Sequence, residues 1–350
     1  ILAIFVAPGL QAGNVFVLPG PSNLNQTATM LTPESLLQVG STISAPSAFK
    51  VFSKPDGSRV YIVASSAVDS LVVADAAGNV IARHSLGAVS AAELSPDGRK
   101  LAIAAATAYL LDTTIDTAPV AVNLGFVPSD VAVSVDSSRA FFVGSGTTQV
   151  SAVDLTTNAT AAFVTLPQSG TNVATAPGGW VYVSSSNAIY EIDGRGTMGI
   201  RAEIPTGGQP GKLQFTPDGL RGVALNRTGF GAGPVSILDV SSRMVTPIAS
   251  AVQLFDANAP GKLAVTSNNR AFAAGSDGRL YSITLNPPAI TQAVASVSGI
   301  TSVVASEEKP NARYLFFLSP TTLYRSATSL FTSDGLETPA SAGISGLPSV

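Results

Sequence analysis

One short motif, returning about every 40 residues, constrains this chain more than any other feature. Its clearest copy runs from Lys50 to Leu86. A Lys-Pro-Asp-Gly segment at 54–57 has the chemistry of a tight turn. Pro presets φ, Asp bonds its own backbone, and Gly takes the left-handed corner. Val60-Tyr61-Ile62-Val63 follows, β-branched and aromatic as a strand prefers. Leu71 to Ala74 is a third run closed by Asp75, Ala76–Asn79 is a second turn, and Val80–Leu86 is a fourth run. Four short strands joined by tight turns make an antiparallel meander. Such a sheet has two apolar faces and needs a neighbour stacked on each.

The turn recurs at Ser95-Pro96-Asp97-Gly98, Val135-Asp136-Ser137-Ser138, Ala176-Pro177-Gly178-Gly179, Thr216-Pro217-Asp218-Gly219, Ser267-Asn268-Asn269 and Glu307–Asn311, each ahead of an apolar run. One longer interval carries an insertion, Arg227–Pro234. A second marker keeps the same phase: Asp75, Asp112, Asp154, Asp193 and Asp239 each stand where a third strand turns into a fourth. An Asp there caps backbone N–H groups of the turn. One carboxylate per repeat is too widely spaced to share a metal. The copies near Thr284 and Ser326 have lost the Asp. The first 44 residues fit the same unit, with strands at ILAIFVAP, NVFVLPG, TATMLT and LLQVG.

Repeats thus begin near 1, 45, 88, 126, 168, 208, 253 and 295. The pattern predicts an all-β fold, a β-propeller of eight four-stranded antiparallel blades forming one domain over 1–350. Gly343–Val350 resembles the start of another first strand, so seven blades with extra terminal strands is the alternative.

Composition removes several function classes. Charged residues are 12%, against an ordinary ~25%, and apolar residues are 45%, enough for a large core. A net charge of −3 without a basic run argues against nucleic acid as the main partner. With no Cys there is no disulfide framework and no thiolate chemistry. The single His84 excludes multi-histidine metal sites, and its place in an outer strand suits a solvated or locally bonded side chain better than a catalytic base. No apolar run reaches the ~18 residues of a membrane helix. Ile1–Val6 reads as a strand; the alternative, the tail of a signal peptide cut after Ala12, fits poorly with Leu10. A chain opening without Met reads as a mature product or a fragment.

The combination of S-P-D-G, a strand such as VYIVAS or VYVSSS, and a strand ending in Asp before a Thr/Asn-rich turn (VDLTTNAT, LDTTID) resembles the YVTN-type β-propeller repeat. That repeat occurs in bacterial and archaeal surface and secreted proteins, within a wider group similar to lactonase-type propellers. The resemblance spans roughly 45–330, departs at Asn268-Asn269 and Glu307-Glu308, and lacks the literal Tyr-Val-Thr-Asn string. It implies a bacterial protein that is secreted, periplasmic or on the cell surface, as one module of a longer chain with further domains. It specifies a fold more than a chemistry.

In such a ring the first strand of each blade lines a central channel, and ligands sit where the b–c and d–a loops open. Polar residues near the inner strands are Lys50, Glu93, Asp130, Asn172, Lys212 and Lys262; the b–c loops add Asp69, Asn187, Asn226 and Asp277. Of these, Lys50, Glu93, Asp130, Asn172, Lys212, Asn226 and Lys262 form the candidate binding mouth. The bland reading is that they pair with one another along a wet channel. The sharper one is that Glu, Asp and Asn oxygens hold a divalent cation such as calcium, whose water attacks a lactone. Trp180 suits packing between blades, or stacking on a sugar if exposed. The Gly-rich insertion lacks the Lys-Ser/Thr of a phosphate loop and reads as a rim loop. With no convergent catalytic set and no cofactor motif, the residues favour a non-catalytic scaffold binding a protein or carbohydrate. A lactonase-like metal-dependent hydrolase is the alternative. A redox-complex subunit with a partner-borne quinone cofactor rests on fold alone.

Overall fold

The computed structural model describes residues 3–6, 15–18, 27–31, 38, 40–227, 233–250, 254, 262–292, 297–305, 314–319, 322–327 and 340–343. These form eight four-stranded sheets, every strand antiparallel to its neighbours, with no helix among the described residues. The expected eight-bladed propeller is what the chain builds. The repeat at Lys50–Leu86 becomes β5 (Ala48–Ser53), β6 (Arg59–Ala64), β7 (Leu71–Asp75) and β8 (Val80–His84). The other inner strands are β1 (Ala3–Val6), β9 (Ala91–Leu94), β13 (Asp130–Val133), β17 (Asn172–Ala176), β21 (Gln214–Phe215), β25 (Leu263–Ser267) and β29 (Ser302–Ala305). Inner strands lie against one another around the axis, and β1 contacts both β5 and β29, which closes the ring. The eighth blade keeps its own fourth strand, β32 (Ala340–Gly343), so Gly343 belongs there and not to a ninth first strand. Residues 344–350 and the centre of the insertion, 228–232, lie outside the described residues.

Burial follows the wedge logic. The second and third strands are almost wholly buried, while outer strands such as β8 are mostly exposed. Each core cluster mixes residues from adjacent blades: Ala102, Leu110, Val131 and Phe142 share one, and Val143, Val150, Val173 and Val183 another. One strand departs from expectation. The fourth strand of the first blade is β4 (Ile43–Ser44); of the expected Leu36–Gly40, Leu36, Leu37 and Val39 lie outside the described residues. It pairs with β3 (Thr27–Leu31) through Ala28 and Thr27. Ile43 is the residue that carries a buried apolar side chain to the core, whereas Gln38 is exposed and makes only an isolated bridge to Leu31.

The two sequence markers sit opposite each other. Arg59 pairs with Asp75, Lys100 with Asp112, Arg139 with Asp154, Trp180 with Asp193 and Arg221 with Asp239. All five Asp side chains cap their turns as expected, accepting from Ala77 and Asn79, Thr114, Thr156 and Thr157, Arg195, and Ser242. These bonds favour the ionised form, so each carboxyl titrates below the usual aspartate range. His84 is a correction. Its Nε2 is buried with no protein partner, and burial, opposed by Asp116, lowers its pKa.

These shifts predict an acid limb in two steps. Below the ordinary histidine value of 6.5 the unfolded chain takes up a proton that native His84 refuses, so stability falls as pH drops to the depressed native value and then levels. Below the ordinary aspartate value of 3.8 the turn carboxylates lose their contribution as pH falls through their depressed native values. Urea unfolding across pH is expected to show both steps, and His84→Gln to remove only the first.

Candidate functional site

An inner strand is a sheet edge, with backbone groups unpaired on the channel side. The sequence-predicted mouth residues go largely to those edges. Lys50 Nζ donates to Ala92 O at 2.8 Å in the next blade. Val133 N donates to Glu93 Oε1 at 3.2 Å, and Val173 N to Asp130 Oδ2 at 2.9 Å. Lys262 Nζ donates to Thr301 O, and burial lowers its pKa to about 8. Thr175 and Gln214, which sequence reasoning missed, do the same, donating to Val133 O at 2.7 Å and Leu263 O at 2.9 Å. Side chains of one inner strand therefore satisfy the backbone of its neighbour, across five of the eight blade junctions.

Four predicted residues do converge. Lys212 reaches from the sixth blade to Asp130 of the fourth and Glu93 of the third. Its Nζ lies 3.0 Å from Asp130 Oδ1, 2.9 Å from Val131 O and 3.6 Å from Glu93 Oε2. Asn172 Nδ2 sits 3.5 Å from Asp130 Oδ2, and its Oδ1 is buried without a protein partner. Asp130 is 5% exposed. Burial alone would favour the neutral amine, but Asp130 and Glu93 outweigh it, and Lys212 titrates above the ordinary lysine range. Two ammonium protons go to Asp130 and to Val131 O, and Glu93 adds an ion pair at 3.6 Å.

The arrangement bears on both sequence readings of the cluster. The oxygens that were to bind a divalent cation already surround a fixed positive charge, and Lys212 fills the seat such an ion needs. Among the described residues no three His, Asp or Glu side chains are placed to hold a metal. The remaining candidates stand apart. Asn226 is buried and braces the base of the insertion, donating to Gly233 O and accepting from Ser236. Asp69 pairs with Arg83 at 3.1 Å, Asp277 accepts from Tyr281 at 2.6 Å, and Asn187 lends its carbonyl to Thr206 N.

No family profile and no curated sequence matches the chain. Solved structures do. Dihydro-heme d1 dehydrogenase NirN, solved with DHE, superposes with a TM-score of 0.70 at 14% identity, over 96% of this chain and 75% of that one. The C-terminal WD40 domain of Sif2 gives 0.66 at 11% identity, over 91% and 92%. A functionally unknown protein from Desulfotomaculum acetoxidans gives 0.58 at 12%, over 81% and 96%. The shared property is the propeller. At such identities the likeness carries the fold and leaves the chemistry to the site.

The opposite face, formed by the a–b and c–d turns, holds a set of interblade clamps. In the connection from third to fourth strand, a residue in the left-handed conformation reaches back one blade. Asp116 (φ 49°) receives Arg59 Nε and the Tyr61 hydroxyl, both at 2.8 Å. Asn158 (φ 57°) receives Lys100, and Arg243 (φ 54°) grips the buried Glu191 at 2.8 Å, alongside the Tyr182 hydroxyl. In the first two clamps the basic residue that opens a second strand, Arg59 or Lys100, is the sequence signal.

Proposed function

We propose that this chain is a non-catalytic binding propeller of the YVTN type, secreted, periplasmic or displayed on the bacterial surface, holding a protein or carbohydrate ligand at its b–c/d–a mouth. The observation carrying this reading is the Lys212–Asp130–Glu93 cluster. Its two carboxylates share one ammonium, which hydrogen-bonds Asp130 and Val131 O, so it offers polar recognition with a residual negative charge but without an activated nucleophile or a cation to polarise a substrate. The Ser/Pro-Asp-Gly turns and Asp-capped third strands support the repeat type, and that resemblance supports the location.

The hydrolase alternative gives the test. The melting temperature of the full chain is expected to stay unchanged in millimolar calcium or zinc, and a lactone panel to be hydrolysed no faster than in buffer. Metal-dependent lactone turnover that disappears in Glu93→Gln would overturn the binding reading.

A further inference from the structure

The junction of the fourth and fifth blades, flanked by clamped junctions on both sides, has no such clamp. In the fifth blade the left-handed residue before the fourth strand is Met198 (φ 61°), which packs against the apolar core instead of reaching back. Arg139 of the fourth blade therefore turns to backbone, its Nη1 donating to Gly194 O at 2.9 Å and Gly196 O at 2.7 Å. Trp180 stands where the second strands of the second, third, fourth, sixth and seventh blades open with Arg or Lys, and Gly178-Gly179 replaces Asp-Gly in the turn before it. Side chains that fill the neighbouring junctions are glycines here. The result is a cleft of about 490 Å³ between the fourth and fifth blades.

The lining has a consistent chemistry. Val135, Phe141, Pro177 and Trp180 supply apolar walls and Arg139 supplies positive charge, while Asp136 lines one edge and the Arg195 guanidinium is paired with Asp193 at 2.9 and 3.2 Å. Val135 is 48% exposed at the rim, an apolar side chain that no neighbouring blade covers. Arg195 and Arg201 lie 5.2 and 5.7 Å from the indole centroid, and Trp180 also packs against the core of the next junction. Among the described residues, Arg139 Nε and Nη2 and the Trp180 indole N–H have no protein acceptor. Most of the nearby acceptors are engaged: Asp136 Oδ1 takes Ser138 N and Oγ, Asp193 takes Arg195, Asp154 across from Arg139 takes Thr156 N and Thr157 N, and the Gly194 and Gly196 carbonyls take Arg139. The cleft thus offers the unpaired Arg139 and Trp180 donors on an apolar lining. A ligand that satisfies it carries a negative acceptor group on a greasy body.

We propose that this cleft is a second binding site, for a small organic carboxylate with an apolar body, the carboxylate on Arg139 and the body between Val135, Pro177 and Trp180. It lies on the face away from the Lys212 mouth, so its failure leaves the reading of that mouth standing. Trp180 is the chain's one Trp, so its emission reports on the cleft alone. The test titrates the full chain with phenylbutyrate and with its uncharged counterpart phenylbutanol. A saturable change in emission is expected with phenylbutyrate at about millimolar concentration or below, and at least about tenfold weaker binding of the alcohol. Arg139→Gln and Val135→Glu are each expected to weaken phenylbutyrate at least about tenfold. Val135→Glu changes an exposed rim residue, so it decides the matter should Arg139→Gln fail to fold. No saturable change, equal affinity for the alcohol, or full affinity in Val135→Glu would overturn the proposal.

Discussion

Lys212→Met is expected to destabilise the protein by about 3 kcal/mol at neutral pH and to make its stability respond to calcium. The reason is the imbalance left behind. Asp130 is buried and Glu93 shares the same ammonium, so removing Lys212 leaves two carboxylates facing each other with no cation between them. Breaking a buried pair from one side costs more than the pair contributes, because the remaining charge is uncompensated. One carboxylate then titrates at a raised pKa, so the variant regains stability relative to wild type as pH falls, opposite to the trend the turn carboxylates impose on the parent. Calcium offers a second route to neutrality, and it stabilises by mass action only if a site exists. Thermal melts of both proteins across pH, with and without calcium, check each part. A variant as stable as wild type and indifferent to calcium would show that the cluster carries no buried charge.

Gly98→Ala is expected to cost about 3 kcal/mol, far more than the same change at a glycine that merely turns a corner. Gly98 has φ 70°, and a Cβ there would fall 2.1 Å from Pro55 Cδ in the preceding blade. The Pro of one turn is seated on the Gly of the next. The same nesting recurs at Gly219, where a Cβ would meet Pro177 Cδ at 2.8 Å. Neither contact involves a flexible side-chain end, so the blades themselves must separate. Gly146 is the control. Its φ is 78°, but a Cβ there would meet nothing within 4 Å, so Gly146→Ala carries only the left-handed penalty of about 1 kcal/mol. Urea unfolding of the two variants isolates the interblade term. Equal losses would mean that the turns do not lock neighbouring blades. Where the Gly is replaced, a hydrogen bond takes over: Ser137 Oγ accepts from Asp97 N and Asn268 Oδ1 from Asp218 N, both at 3.0 Å.

The blades were legible because both markers recur in phase, and a period near 40 with four strands admits few packings. The fourth strand of the first blade was misplaced because Leu36–Gly40 looks as strand-like as Ile43-Ser44, and only the pairing of Thr27 and Ala28 separates them. The mouth residues were found but their work was not. Lys50, Glu93 and Asp130 bond backbone groups about one repeat away, and no side-chain pattern marks a backbone partner. Lys212 meets Asp130 across 82 residues, a pairing that only the closed ring reveals. The cleft beside Trp180 did have a signal: two substitutions against the repeat, Trp for a basic residue and Gly-Gly for Asp-Gly, fall within three residues of each other.

The manner of closure carries a consequence for the chain's connectivity. Among the described residues every blade draws its four strands from one contiguous stretch, and the first blade meets the last through β1 and β29 without either lending a strand. Such a circle has no privileged seam. The ends of the polypeptide could be relocated to another d–a connection, one whole repeat at a time, with each sheet left intact. Circular permutants cut between His84 and Ala91 should therefore assemble the same ring as readily as the parent.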